Sequence, residues 1–187
     1  QMSPDSMVNA IDLATTEDET ALIDAQWEDL VRCTRAKIEE SKSNGNETMD
    51  NVIPMIDLSP SMSGTPMLAA IGLGIMLTQL NSCACSNIAI TFDSHCHIVD
   101  LSQATKFSDK VKLVRSLPMG YSTDFRLAME RICELIVKHR LPEESIPALC
   151  ILSDEQFDHH QFHAVNVEPL YSRSSNNFLM EDQMATM

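Results

Sequence analysis

The stretch Met67–Leu80 constrains this chain more than any other, because it is apolar on nearly every side and holds two glycines. A helix apolar all round cannot lie on a surface and needs cover from every direction. It is too short to cross a bilayer, so the cover must be protein. Thr65-Pro66 reads as its entry, a capping residue followed by proline in the first turn. Short apolar runs that read as strands lie on either side in sequence: Val52–Ile56 before it, then Ile88–Phe92 and His97–Leu101, joined by the Asp93-Ser94 turn. Gly72 and Gly74 are expected to let the helix close on the sheet those strands form.

The remainder continues the alternation. Phe107–Leu117 reads as a helix on the spacing of Phe107, Val111 and Val114. Asp124–Arg140 is the clearest helix, with Phe125, Ala128, Met129, Ile132 and Ile136 in one stripe. Arg126/Glu130 and Glu134/Lys138 add opposite charges one turn apart. Ala148–Leu152 is a further buried strand, running into Ser153-Asp154. Strands alternating with helices predict an α/β fold, a mostly parallel sheet with helices on both faces. Pro54 is a tension within the first strand, since proline donates nothing to a sheet ladder.

With 187 residues the chain has room for one sizeable core and flanking segments. Residues 1–50 read as an acidic lead-in: 1–19 loose, one helix over about 20–41 carrying Trp27, and a turn-rich linker. Residues 51–158 form the domain, and 159–187 an irregular or divergent tail. Trp27 is expected to pack its helix on the domain.

A formal net charge of −14 repels phosphate backbones, so direct nucleic-acid binding is not expected, while cations are attracted. The six cysteines include no CxxC pair, and no secretory leader is seen, which favours reduced thiols and a cytoplasmic location, with the nucleus as alternative. No membrane association is expected. Structural zinc at Cys83, Cys85, His95 and His97 lacks a second ligand pair at finger spacing. His159, His160 and His163 have no glutamate in the zinc-protease position and read as solvated loop residues.

Three features sit where strands end: Asp57-Leu58-Ser59-Pro60-Ser61, Ser122-Thr123-Asp124 and Ser153-Asp154-Glu155. In an open α/β sheet the carboxyl ends of the strands border the ligand crevice, so Asp57 and Asp154 should converge, with Thr123 joining them. Hydroxyls and carboxylates suit a hard cation, Mg²⁺ or Mn²⁺, that wants oxygen ligands in octahedral array. Ser59, Ser61 and Thr123 would touch the ion, and Asp57 and Asp154 would hold its waters. Singly, each feature is also an ordinary turn or helix cap.

The segments Asp57-Leu-Ser-Pro-Ser-Met-Ser-Gly, Gly120-Tyr-Ser-Thr-Asp-Phe and Ile151-Leu-Ser-Asp-Glu-Gln-Phe-Asp together resemble the three metal-site motifs of von Willebrand factor A-like domains. More narrowly, they resemble an uncharacterised intracellular family related to the A-like domain of TROVE (Ro-type ribonucleoprotein) proteins, as do Gly64-Thr-Pro-Met and Phe107-Ser-Asp-Lys-Val-Lys-Leu-Val-Arg. The resemblance covers about residues 50–158. It implies a Rossmann-like fold and a metal-ion-dependent adhesion site at Asp57, Ser59, Ser61, Thr123 and Asp154. It further implies capture of a protein partner through an Asp or Glu carboxylate, and ribonucleoprotein association by kinship only. Pro60 departs from the glycine usual in that family and stiffens the loop. Residues 159–187 do not look like the family's continuation, so the domain is expected to be truncated at its C-terminal side.

Two other readings stand beside the non-enzymatic one. A magnesium-dependent phosphate-handling hydrolase would need a second carboxylate two residues from Asp57 and a nearby lysine; position 59 is serine and no lysine is near the motifs. No G-x-S-x-G elbow supports a serine hydrolase. The third reading is a truncated structural fragment that binds nothing.

Overall fold

The computed structural model describes residues 2–46, 51–81, 86–92, 96–118, 125–138, 140, 142–143 and 146–154. Helix α1 spans Pro4–Leu13 and α2 spans Glu17–Ser43. Strand β1 (Val52–Asp57) leads through a 3-10 turn at Pro60–Met62 into α3 (Thr65–Leu80). Strands β2 (Ile88–Phe92) and β3 (Cys96–Asp100) follow, then α4 (Phe107–Arg115), α5 (Phe125–Lys138) and β4 (Ala148–Leu152).

The described strands form one sheet in the order β3-β2-β1-β4. β1 runs parallel to both β2 and β4, whereas β2 and β3 are antiparallel. The sheet is therefore mixed and mostly parallel, as the alternation of elements predicts. The Asp93-Ser94 turn lies outside the described residues.

Pro54 is accommodated by register. Ala148 donates its backbone N–H to the Asn51 carbonyl, which turns the polar groups of the odd-numbered β1 residues towards β4 and of the even-numbered ones towards β2. Pairing with β2 begins only at Met55, so the missing N–H of Pro54 falls where no ladder bond is due. Nearby, the Asn81 side chain donates to the Val52 carbonyl at 2.7 Å, satisfying a β1 acceptor beyond the ladder's end.

Helices cover both faces. On one, α3 rests on β1 and shares a core with α1, α2 and α4, built on Ile56, Leu58, Ile71, Ile75, Val111 and Val114. On the other, Met129, Ile132 and Ile136 of α5 pack on Ile53, Met55 and Ile90. The side chains of Phe125 and Ala128 are not described. Helix α3 is buried as its composition requires, with Leu73 its most exposed large residue at 42%.

The two glycines of α3 serve different neighbours. A Cβ on Gly74 would stand 2.4 Å from Cδ1 of Ile56, so this glycine seats α3 on the sheet as expected. At Gly72 it would stand 2.7 Å from the Pro4 carbonyl oxygen, so that glycine admits α1 rather than the sheet.

Residues 2–19 are not a loose lead-in. Ser3 and Pro4 start a helix whose Met7, Val8 and Ile11 are buried against α3. The second helix begins at Glu17, earlier than expected, because Thr16 and Glu19 form a reciprocal capping box. Trp27 packs as expected: it stacks on Phe107 with ring centroids 3.8 Å apart, and its indole N–H donates to Gln79 at 2.6 Å. Both N-terminal helices thus belong to the main core. Below them, Asp24 accepts the backbone N–H and the hydroxyl of Ser108, capping the start of α4 with a carboxylate.

Candidate metal centre

In the loop after β1, Leu58 and Met62 are buried in the α3-side core, and between them Ser59 is buried and Ser61 exposed. Pro60 is the first residue of the 3-10 turn, where its fixed φ suits the geometry and its lacking N–H costs nothing. The turn closes with Met62 donating to the Ser59 carbonyl and Ser63 to that of Pro60. Gly64 follows at φ +86°, a conformation that side chains rarely adopt, and opens α3.

This loop brings the hydroxyls of Ser59 and Ser61 to 2.9 Å from each other. Asp57 is 1% exposed. Its Oδ1 accepts the Ser59 backbone N–H at 2.8 Å, and its Oδ2 accepts the Ser153 hydroxyl at 2.7 Å. Asp154 reaches the same place from the end of β4, where its Oδ1 lies 3.5 Å from the Ser61 hydroxyl, the outer limit of a hydrogen bond. Parallel pairing of β1 with β4, with Ile56 opposite Leu152, puts both strand ends on one rim.

Four of the five sequence-derived site residues therefore converge: Asp57, Ser59, Ser61 and Asp154. Thr123 lies outside the described residues. So do Cys83, Cys85, His95 and the three histidines at 159, 160 and 163. Ser153 is the residue that sequence reasoning missed as a participant; its only signal was its position between the last strand and Asp154.

The donors fit a hard divalent cation. They are oxygens throughout, the carboxylates of Asp57 and Asp154 and the hydroxyls of Ser59 and Ser61, with no thiol or imidazole among them. Asp57 is a buried carboxylate that no basic side chain among the described residues pairs with, and such a charge is expensive unless a cation or several donors offset it. Among the described residues there is no group of three or more His, Cys, Asp and Glu that would hold a metal by those ligands alone. The site is instead hydroxyl-rich, which leaves a bound ion less neutralised than a ring of carboxylates would.

An apolar groove of about 230 Å³ adjoins the site, lined by Met62, Pro66, Leu73, Leu152, Ser153 and Asp154. Elsewhere, Cys33, Cys133 and Cys150 are free thiols. No helix of the described residues is long and apolar enough to cross a membrane.

The family model described as Domain of unknown function (DUF7788) matches residues 51–182. The match starts with β1 and runs past β4 into the residues that sequence reasoning assigned to a tail from 159. Uncharacterized protein L728 of Acanthamoeba polyphaga mimivirus is 30% identical over 145 residues, covering 77% of this chain and 24% of that protein. The chain thus spans about a quarter of the length of this curated relative. No solved structure matches.

Proposed function

We propose a function on the premise that the chain belongs to the DUF7788 family: it is a non-enzymatic, metal-dependent protein-binding module of von Willebrand factor A-like type. The observation that carries this reading is the convergence of Asp57, Ser59, Ser61 and Asp154 on one rim of the sheet, from two loops far apart in sequence. The order of the three motifs and the mostly parallel sheet with helices on both faces support the von Willebrand factor A-like assignment, and with it the kinship to the A-like domain of TROVE proteins.

In this reading Ser59 and Ser61 offer hydroxyl oxygens to Mg²⁺ or Mn²⁺, joined by Thr123 on the strength of the motif resemblance. Asp57 and Asp154 orient the water that remains on the ion. Bound there, the ion supplies a Lewis-acidic position open to one further oxygen, and a partner's Asp or Glu carboxylate fits it. The hydroxyl-rich donor set favours this role, because the ion keeps enough positive charge to attract an anion. Catalysis is not part of the proposal.

Mn²⁺ provides the test, with acetate as the simplest carboxylate. The protein should enhance the relaxation of water protons by Mn²⁺, and acetate should reduce that enhancement by displacing a bound water. A folded protein with no enhancement would remove the metal site. Enhancement insensitive to acetate would leave an ion site without carboxylate capture.

A further inference from the structure

The Asp57 carboxylate is gripped from two strands at once. Oδ1 accepts the Ser59 N–H from its own loop, and Oδ2 accepts the Ser153 hydroxyl from the end of β4. We propose that Ser153 is a positioning residue of the metal centre, whose hydroxyl fixes the rotation of the Asp57 carboxylate and so the direction of its remaining lone pairs. This inference rests on the metal-site reading above.

The terminal torsion of an aspartate is broad, with no sharp staggered wells. One hydrogen bond, to Oδ1, leaves the carboxylate able to rock about its last bond. A second bond, to the other oxygen and from a different strand, removes that freedom. Because Asp57 is 1% exposed, bulk water is poorly placed to replace a lost Ser153 donor. A carboxylate has about four lone-pair sites, so the two protein bonds leave roughly two for the ion or its waters. Ser153 thus leaves Asp57 able to act while specifying where it acts. The neighbouring Asp154 enters the site from the same backbone segment, so one strand end supplies both a donor that orients Asp57 and a carboxylate that holds the ion's water. That arrangement depends on the β1–β4 register, which sets Ile56 opposite Leu152.

Partners that orient a metal's ligands typically contribute 10–100-fold to affinity. The test is calorimetric titration of the full chain with Mg²⁺ alone, for the wild type, Ser153→Ala, Ser153→Val and Ser153→Thr. Valine and threonine have nearly one shape and differ in the hydroxyl, so their comparison separates hydrogen bonding from packing. The alanine and valine variants should bind Mg²⁺ about 10–100-fold more weakly, and threonine should restore affinity to within about threefold of the wild type, a rescue a packing role would not give. If Ser153→Val does not fold, Ser153→Ala against Ser153→Thr carries the same comparison. Equal affinity in all four proteins would overturn the positioning role and leave the metal site standing. A folded wild type that binds no Mg²⁺ would overturn the metal site and, with it, this role.

Discussion

At the scale of single residues, Asp57 bears opposed demands. Its charge is buried without a basic partner among the described residues, which costs stability, yet an ion site needs that charge. Asp57→Asn keeps the shape, and its amide can donate to Ser153, whose hydroxyl also accepts. The metal-free variant should therefore be more stable than the wild type by about 0.5–2 kcal/mol in urea unfolding, while losing any stabilisation by Mg²⁺. A variant that is less stable and still responds to Mg²⁺ would contradict this. Trp27 makes a simpler case: it stacks on Phe107, is 1% exposed, and bonds Gln79. Trp27→Ala should cost about 3–5 kcal/mol by the same measurement, from lost burial and the cavity left behind. Asp57, Ser59, Ser61 and Asp154 were legible in the sequence because each follows an apolar run that ends abruptly. Ser153 was not, since its bond to Asp57 depends on the β1–β4 register, and register is not written in either strand alone.

Among the elements, α1 was the one that sequence reasoning did not find. Its Met7, Val8 and Ile11 lie in a polar, acidic context, and one short stripe carries little periodic signal. What makes it a helix is tertiary: α3 is apolar all round and offers a face that α1 covers, with Gly72 admitting Pro4. Gly72→Ala would gain about 1 kcal/mol in helix propensity. It would also drive a methyl against the Pro4 backbone, 2.7 Å from its carbonyl oxygen, at an overpacking cost of about 1–3 kcal/mol. A net loss of stability in chemical denaturation is expected, and a net gain would show that α1 is not docked there. The capping box of α2 makes a pH prediction. The backbone N–H groups of Thr15 and Thr16 hold the Glu19 carboxyl below its ordinary value of 4.5. A carboxyl depressed in the folded state stabilises above its unfolded value and loses that contribution as pH falls through its folded value. The melting temperature of the wild type should therefore drop more steeply below pH 4.5 than that of Glu19→Gln; parallel curves would dissociate the cap from acid stability. Strands β1 and β2 and helix α5 were legible because their apolar patterns match their burial; β4 was legible as a strand but is not the buried one expected, since it lies at the end of the described strand order with Ala148 and Ile151 exposed and Leu149, Cys150 and Leu152 half-buried. The antiparallel pairing of β2 with β3 was implicit in the short turn between them.

Considered as a whole, the molecule is strongly acidic, and its net charge of −14 opposes the compact state by self-repulsion. Sodium chloride should stabilise it through screening by about 1 kcal/mol, which for a chain of this size raises the melting temperature by about 2–4 °C. A melting temperature indifferent to sodium chloride would show that the charges are too dispersed to matter. Magnesium chloride at matched ionic strength should stabilise further, because an ion that binds only the folded state adds about 2.7 kcal/mol at a hundred times its dissociation constant. The α/β class and the grouping of strand ends at one rim were readable from the alternation of elements. The start of the domain at residue 51 coincides with the start of the family match; the share of α1 in the main core was not readable, because its apolar stripe is short and sits in an acidic segment. The most direct measurement is calorimetric titration with Mg²⁺ and Mn²⁺ of the wild type and of the double variant Asp57→Ala, Ser59→Ala. Saturable binding of one ion to the wild type, absent in a folded double variant, is the expected result; a folded wild type that binds neither ion would contradict the metal centre.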